Sequence, residues 1–218
     1  MKKRALRNIL LFLIFTVTLQ GIFLDIQVSS KGNGFLHGLY IFKFFTLQSN
    51  MLFALFSAST LILINSGKNN KIEKKCDWLN KLLSPLFSYI LLTGITYLII
   101  IAPTTQLSGL EKVSSTLLHY VSPPLAILYF LLFEKRRIEY REIAYWIVYP
   151  VVFLGWGLYL ALMKGDYLYP FFDIEKLGYK IIPYLIAVTI CGILLDVAVV
   201  FINRRLNPSQ KNLSRKIM

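Results

Sequence analysis

The chain has few acidic residues, few histidines and few cysteines. Its 218 residues include 11 Asp and Glu against 24 Lys and Arg, with 2 His and 2 Cys. Cys76 lies in a Lys-rich loop and Cys191 inside an apolar run, so the two thiols should sit in different environments and we predict no disulfide between them. We also predict no metal site, no cofactor and no thiol chemistry.

Charged residues are also scarce relative to apolar ones. They make up 16% of the chain, against 56% hydrophobic and 15% aromatic residues. A soluble domain of this length would have difficulty hiding so much apolar surface from water, so part of that surface should meet lipid. A net charge of +13 would suggest a nucleic-acid partner if the basic residues shared one face, but they cluster between apolar runs. We therefore predict no nucleic-acid partner.

Six apolar segments are long enough to cross a bilayer core, which needs about 20 helical residues. They are residues 9–28, 35–64, 82–102, 114–133, 143–163 and 181–202. The first is long and lacks a small-x-small cleavage pattern near its end, so we interpret it as a retained span and not as a signal peptide. The sequence predicts an all-α fold, a polytopic membrane bundle of six transmembrane helices that forms a single domain over residues 1–218.

The basic residues predict the orientation of these spans. Most of them lie in four places: the N-terminal tail, the loop after the second segment, the loop after the fourth, and the C-terminal tail. By the positive-inside rule both termini should be cytoplasmic in a multi-pass protein of the cell membrane. No loop is long enough for a separate domain, so binding or catalysis should take place within the helical bundle.

The second segment contains the densest set of polar residues. We predict one helix over this segment, on which Lys43, Thr46 and Asn50 fall at positions i, i+3 and i+7, on one stripe of one face, and Ser49 borders that stripe. Polar groups inside a span are costly, so each is a hypothesis of function. The structural alternative for Thr46 is a hydrogen bond to the backbone of its own helix.

The fourth segment contains a histidine followed by tandem prolines, His119 and Pro123–Pro124. The prolines remove two helix donors and should kink this span just below His119. Thr46 and His119 each lie a few turns below the outer boundary, at about 1.5 Å per residue, so they are expected at the same depth. A Thr hydroxyl becomes a nucleophile when a neutral imidazole takes its proton, which predicts a Thr46–His119 dyad. The alternative is that His119 is a hydrated residue at the membrane interface and that His37 is the base.

The sequence resembles the androgen-induced protein family, which includes the androgen-dependent regulator of tissue factor pathway inhibitor, and its bacterial relatives. The resemblance rests on Lys43-Phe44-Phe45-Thr46, on His119 followed four residues later by Pro123, and on Tyr149-Pro150. The aromatic segment from Tyr169 to Asp173 is similar to the bacterial branch. Members of the family have six spans, and the animal ones hydrolyse fatty acid esters of hydroxy fatty acids with a membrane-embedded Thr and a His.

The resemblance implies a lipid or fatty acid ester substrate, with Thr46 and His119 as the catalytic pair. Lys43, Ser49, Asn50 and Ser122 are then the candidate substrate-binding residues. Such an ester carries a free carboxylate, which the Lys43 ammonium would hold near the outer interface. The alternative for Lys43 is that its side chain extends to the lipid headgroups.

Two non-enzymatic classes compete with this hypothesis. A small-molecule transporter or channel would use the polar residues of several spans to line a pathway, with Pro123–Pro124 as a break in the helix. The absence of an internal repeat and the small number of acids inside the spans argue against it. A non-catalytic membrane partner protein would use its basic cytoplasmic surface only for anionic lipid. The sequence leaves the oligomeric state open.

Overall fold

A computed structural model describes residues 2–32, 34–66 and 77–208 of the chain. Within these ranges it contains six helices that are long and apolar enough to cross a membrane. These spans one to six are Lys2–Ser30, Phe45–Asn65, Trp78–Thr104, Gly109–Phe133, Tyr140–Lys164 and Ile174–Leu206. The predicted all-α fold with six spans is confirmed. Cys76 lies outside the described residues.

The chain divides into two compact units, Met1–Glu134 and Lys135–Met218. The first unit contains spans one to four. Span two is preceded by a short α-helix and a 3₁₀ turn, Phe35–Gly38 and Leu39–Lys43. Span three consists of α-helix Asp77–Thr96, π-helical turn Tyr97–Ile101 and 3₁₀ turn Ala102–Thr104. Span four consists of α-helix Gly109–Thr116, π-helical turn Leu117–Val121 and α-helix Ser122–Phe133.

The prediction of one unbroken helix over residues 35–64 is wrong. The backbone of Phe44 is extended, with φ −86° and ψ 140°, and the α-helix of span two begins after it, at Phe45. The Gln48 amide side chain donates to the Phe42 carbonyl at 2.7 Å, which satisfies one of the backbone groups that the break releases. Thr46 therefore lies in the first turn of a helix and not in the middle of one.

Each π-helical turn in the first unit ends two residues before a proline. The turn in span three is followed by Pro103, and the turn in span four by Pro123. A proline has no N–H for the carbonyl four residues earlier, and its ring clashes with that carbonyl. One extra residue in the preceding turn moves the carbonyl away, which is a known cause of irregular helix geometry. The irregularity expected below His119 therefore takes the form of a π-helical turn that contains it.

Close contacts at glycines hold spans one, three and four together. An added Cβ at Gly21 would lie 2.6 Å from a methyl carbon of Leu118, and one at Gly94 would lie 2.9 Å from Cγ of Pro123. Small residues allow helix backbones to approach in this way inside membranes. A buried apolar cluster of Ile22, Ile41, Leu47 and Leu118 packs beside them. Spans one and three thus approach span four closely at Leu118 and Pro123, on either side of His119 in the chain.

Polar contacts tie the spans at the other end of the first unit. The Arg7 guanidinium donates to the Tyr129 hydroxyl at 3.2 Å, and the Ser84 hydroxyl donates to the buried Glu134 carboxylate at 2.9 Å. Near the start of span one, the Asn8 side-chain amide donates to that of Asn65, the last residue of span two, at 2.9 Å. Side-chain hydrogen bonds thus join spans one to four at the end of the unit away from Thr46.

The second unit contains spans five and six. Its helices and turns are Tyr140–Glu142 (3₁₀), Ile143–Trp146, Val148–Lys164, Pro170–Phe172 (3₁₀), Ile174–Leu177, Gly178–Lys180 (3₁₀) and Ile181–Leu206. The buried Asn203 amide accepts from the Ile138 backbone N–H at 2.9 Å and donates to the Arg136 carbonyl at 3.0 Å. Asn203 therefore fastens the segment before span five to the end of span six.

Candidate active site

Thr46 is positioned by the start of the span two helix. It is the second residue of that helix, and its side chain is buried, at 7% exposure. Phe44, the residue before the helix, provides no side-chain cap to the first turn. The first N–H groups of a helix have no carbonyl acceptor within it and carry the positive end of the helix dipole. Thr46 thus lies in the turn of span two that carries these N–H groups.

His119 is positioned by the π-helical turn of span four. Its Nε2 lies 3.4 Å from Oγ1 of Thr46, although the two residues are 73 positions apart in the chain. Its Nδ1 lies 3.0 Å from the Ser115 carbonyl oxygen and 3.3 Å from the Ser115 hydroxyl. The structure therefore brings the two predicted dyad residues together.

The Ser115 carbonyl determines which nitrogen of His119 can act as a base. It is the nearer of the two Ser115 oxygens to Nδ1, 3.0 Å against 3.3 Å for the hydroxyl, and it only accepts hydrogen bonds, which favours the tautomer with the proton on Nδ1. Nε2 of the neutral ring then presents a lone pair, and it faces the Thr46 hydroxyl. The site thus contains a hydroxyl, an imidazole and a hydrogen-bond acceptor that orients the imidazole. Activated nucleophiles in enzymes have the same order of groups.

Three of the predicted substrate-binding residues contact the Thr46 backbone and one another. The Ser49 hydroxyl and the Asn50 amide donate to the Thr46 carbonyl at 3.1 Å and 2.9 Å. The Ser122 hydroxyl donates to Oδ1 of Asn50 at 3.0 Å, and all three side chains have 0% exposure. These contacts link span two to span four beside the dyad, which favours a positioning role for the three residues.

Lys43 does not belong to the stripe that contains Thr46 and Asn50. It lies in the 3₁₀ turn before the break at Phe44, so the helical spacing assumed for it does not apply. Its ammonium lies 4.3 Å from the centre of the Tyr40 ring and 5.3 Å from that of the Phe44 ring. Such contacts are favourable for a cation near an aromatic face. The structure thus places the ammonium on aromatic faces in the segment that precedes span two.

Tyr97 and Ser115 contact His119 but were not among the predicted site residues. The Tyr97 ring, 7% exposed, stacks on the His119 ring with 3.9 Å between centroids and 16° between planes. Ser115 was detectable in the sequence because it precedes His119 by four residues, one helical turn. Tyr97 lies on another span, so its contact depends on tertiary packing. His37, the alternative base, is exposed and has its nearest described ring contact with Tyr40, at 6.5 Å.

The first turn of span two also supplies donors for a developing negative charge. The backbone amides of Thr46 and Leu47 lie in that turn. They precede Gln48, whose N–H donates to the Phe44 carbonyl at 3.2 Å. The positive end of the helix dipole at this turn favours negative charge that develops nearby, such as that on the carbonyl oxygen of an ester under attack. The arrangement thus combines a hydroxyl in contact with an imidazole and the positive end of a helix dipole.

The described part of the chain contains no cluster of metal-ligating side chains. Among residues 2–32, 34–66 and 77–208, no group of three or more His, Cys, Asp or Glu side chains is placed to hold a metal ion. The site is instead built from hydroxyl, imidazole and amide groups.

The fold and the buried polar site together define a multi-pass α-helical membrane protein with a polar centre inside its first unit. No protein-family model, no curated protein and no solved structure matches the chain. The assignment of a function therefore depends on the geometry of the site.

Proposed function

We propose that this protein is a membrane-embedded threonine hydrolase of lipid esters. The observation that carries the proposal is the contact between His119 Nε2 and Thr46 Oγ1, 3.4 Å, in a ring whose Nδ1 is bonded to the Ser115 carbonyl. Distances of this kind are often somewhat long in a site without substrate and shorten when the substrate binds.

In the first half of the reaction Thr46 is acylated. Oγ1 attacks the ester carbonyl carbon while its proton passes to Nε2 of His119, which gives a tetrahedral oxyanion next to the first-turn amides. The imidazolium then returns the proton to the leaving alcohol oxygen as the ester C–O bond breaks. The products of this half are an acyl-threonine and a free alcohol.

In the second half water releases the acid. Nε2 of His119 takes a proton from a water molecule, whose oxygen attacks the acyl carbon, and the proton returns to Oγ1 as the acyl–oxygen bond breaks. The free fatty acid leaves and Thr46 is regenerated. His119 ends each half in the neutral form in which it began.

The resemblance to the androgen-induced proteins supports the same assignment. In that family a Thr and a His inside the membrane hydrolyse fatty acid esters of hydroxy fatty acids, and the matching positions here, Thr46 and His119, are in contact. Fatty acid esters are therefore the proposed substrate class, and membrane lipid the proposed surroundings. The proposed location is the cell membrane, with the dyad toward the outer side.

The test compares the parent protein with isosteric variants in detergent. Thr46→Val keeps the shape of the buried side chain and removes its hydroxyl, whereas Thr46→Ser keeps the hydroxyl. His119→Asn keeps a donor for the Ser115 carbonyl and removes the base. We expect release of fatty acid from a panel of lipid esters by the parent and by Thr46→Ser, and losses of about 100-fold or more in the other two variants.

A fluorophosphonate probe provides an independent measurement. The parent should be labelled at Thr46 and Thr46→Val should not, once size-exclusion chromatography has shown both to be folded. If the parent cleaves no ester of the panel and takes up no probe, the proposal fails. Transport assays with reconstituted vesicles then become the next measurement, because the polar residues of span two would line a pathway instead.

A further inference from the structure

The imidazole of His119 is held in its own plane by its two nitrogens. Nδ1 contacts the Ser115 carbonyl at 3.0 Å and Nε2 contacts Thr46 Oγ1 at 3.4 Å. Both contacts lie at the edge of the ring and leave it free to tilt about the line through its nitrogens. A productive site must limit that tilt, because proton transfer depends on the direction of the Nε2 lone pair.

The ring of Tyr97 covers a face of this imidazole. The two rings are nearly parallel, 16° apart, with centroids 3.9 Å from each other. Tyr97 is itself fixed: it is 7% exposed, and the Tyr120 ring contacts it edge-on at 5.8 Å and 81°. It also begins the π-helical turn of span three, where its carbonyl accepts from the Ala102 N–H. The Tyr97 ring is thus a fixed aromatic face against the His119 ring, whose orientation must be kept.

We propose that Tyr97 is a positioning residue that holds the His119 imidazole against Thr46 and stabilises the imidazolium formed during the reaction. The consequence for rate rests on the proposed function, whereas the positioning of the ring does not. An aromatic face attracts a cation more strongly than a neutral ring, so the contact strengthens when His119 takes the proton. Interactions that strengthen in the transition state raise kcat and leave KM nearly unchanged.

Three variants separate the aromatic face from the hydroxyl and from packing. Tyr97→Leu removes the face, and Tyr97→Phe keeps the face but removes the hydroxyl. Phe87→Leu is the matched control, because Phe87 also lies in span three and stacks on a ring of span four, that of Phe130, with 4.1 Å between centroids and no contact with His119 among the described ring contacts. We expect kcat to fall about tenfold in Tyr97→Leu, with KM unchanged. Tyr97→Phe and Phe87→Leu should stay within about twofold of the parent.

Ring NMR of the two histidines measures the positioning without any substrate. In detergent-solubilised protein labelled with ¹³C-histidine, the Cε1–H of His119 should be shifted upfield by the Tyr97 ring current, and His37 serves as the internal reference. We expect Tyr97→Leu to abolish this upfield shift and broaden the signal. Tyr97→Phe should keep the shift, and the signal of His37 should not change in either variant.

Each result supports or overturns a defined part of the proposal. An unchanged His119 signal in Tyr97→Leu overturns the positioning, whether or not the protein cleaves esters. A changed signal with an unchanged kcat overturns the role in the reaction. Equal losses of kcat in Tyr97→Phe and Tyr97→Leu assign the effect to the hydroxyl and overturn the stacking role. If the parent shows no hydrolysis that depends on Thr46, the proposed function fails, and the NMR comparison alone decides the positioning.

Discussion

At the scale of residues, the side chain of Asn50 links span two to span four. Its amide nitrogen donates to the Thr46 carbonyl and its amide oxygen accepts from the Ser122 hydroxyl, and both of its neighbours are buried. Removing one partner of a buried hydrogen bond leaves the other unsatisfied, which costs about 1–3 kcal/mol. Asn50 should therefore matter for stability as well as for the placement of Thr46.

A double-mutant cycle of Asn50→Ala and Ser122→Ala tests this link. We expect each single variant to lower the free energy of unfolding by about 1–3 kcal/mol. We expect the double variant to lose less than the sum, with a coupling of about 0.5 kcal/mol or more. The measurement is unfolding of the detergent-solubilised protein by denaturant. Additive losses would contradict the hydrogen bond between the two side chains.

Thr46 could be selected from the sequence because a hydroxyl inside an apolar segment requires a reason. The sequence could not show that Thr46 begins a helix, since Lys43-Phe44-Phe45 contains no proline or glycine to mark the break. The placement of Lys43 on the Thr46 stripe failed for this reason. A helical period applied across a break assigns the wrong face to every residue beyond it.

At the scale of elements, the approach of span three to span four depends on Gly94. An added Cβ would lie 2.9 Å from the rigid ring of Pro123 and 3.6 Å from the His119 carbonyl oxygen. Gly94→Ala must therefore push span four away near His119, at a cost of about 1–3 kcal/mol.

The expected result of Gly94→Ala is a lower unfolding temperature together with reduced ester hydrolysis or fluorophosphonate labelling. Gly155→Ala is the matched control, because it is also a glycine within a span and nothing lies within 4 Å of its added Cβ. That control should be neutral or slightly stabilising, since alanine favours helix. Equal behaviour of the two variants would contradict the close approach.

The tandem prolines of span four should set the direction of His119 through the π-helical turn. Replacing both prolines by alanine, Pro123→Ala with Pro124→Ala, restores two N–H donors and favours an ordinary α-helix. Loss of the extra residue in the turn would rotate His119 about the helix axis by about 100°. We expect the double variant to be at least as stable as the parent but to lose most of its labelling at Thr46. Thermal unfolding and probe uptake measure the two effects. Full labelling would show that the turn does not depend on the prolines.

At the scale of the whole molecule, the distribution of basic residues predicts the side of the membrane on which each loop lies. Most Lys and Arg residues fall in the tails and in the loops after spans two and four, so these parts should be cytoplasmic. The Thr46 end of span two would then face the opposite side. A substrate would reach the dyad from the outer half of the bilayer.

Cysteine accessibility in intact cells tests this orientation. Both native cysteines are first replaced, Cys76 by Ser and Cys191 by Ala. In that background Lys3→Cys reports on the first turn of span one, and Gln106→Cys reports on the loop between spans three and four. A membrane-impermeant maleimide should label Gln106→Cys in intact cells and Lys3→Cys only after permeabilisation. The reverse pattern would invert the protein and place Thr46 near the cytoplasmic face.

The sequence by itself determined that the chain is helical and crosses the membrane six times. Backbone groups in lipid must be hydrogen-bonded within the segment, so a long apolar run has no alternative to a helix, whatever surrounds it. The same local reasoning selected Thr46 and His119 as polar residues that need a partner. These properties depend on neighbours in the chain, which the sequence displays directly.

Only the tertiary structure decided how the site is assembled. The contact of Thr46 with His119, the stacking of Tyr97 and the bond between Asn50 and Ser122 each join different spans, and no local pattern encodes them. The break at Phe44 and the two π-helical turns decide which side chains face one another. The contacts between spans result from packing between helices, where a missing Cβ or an extra residue in one turn changes the direction of the neighbouring side chains.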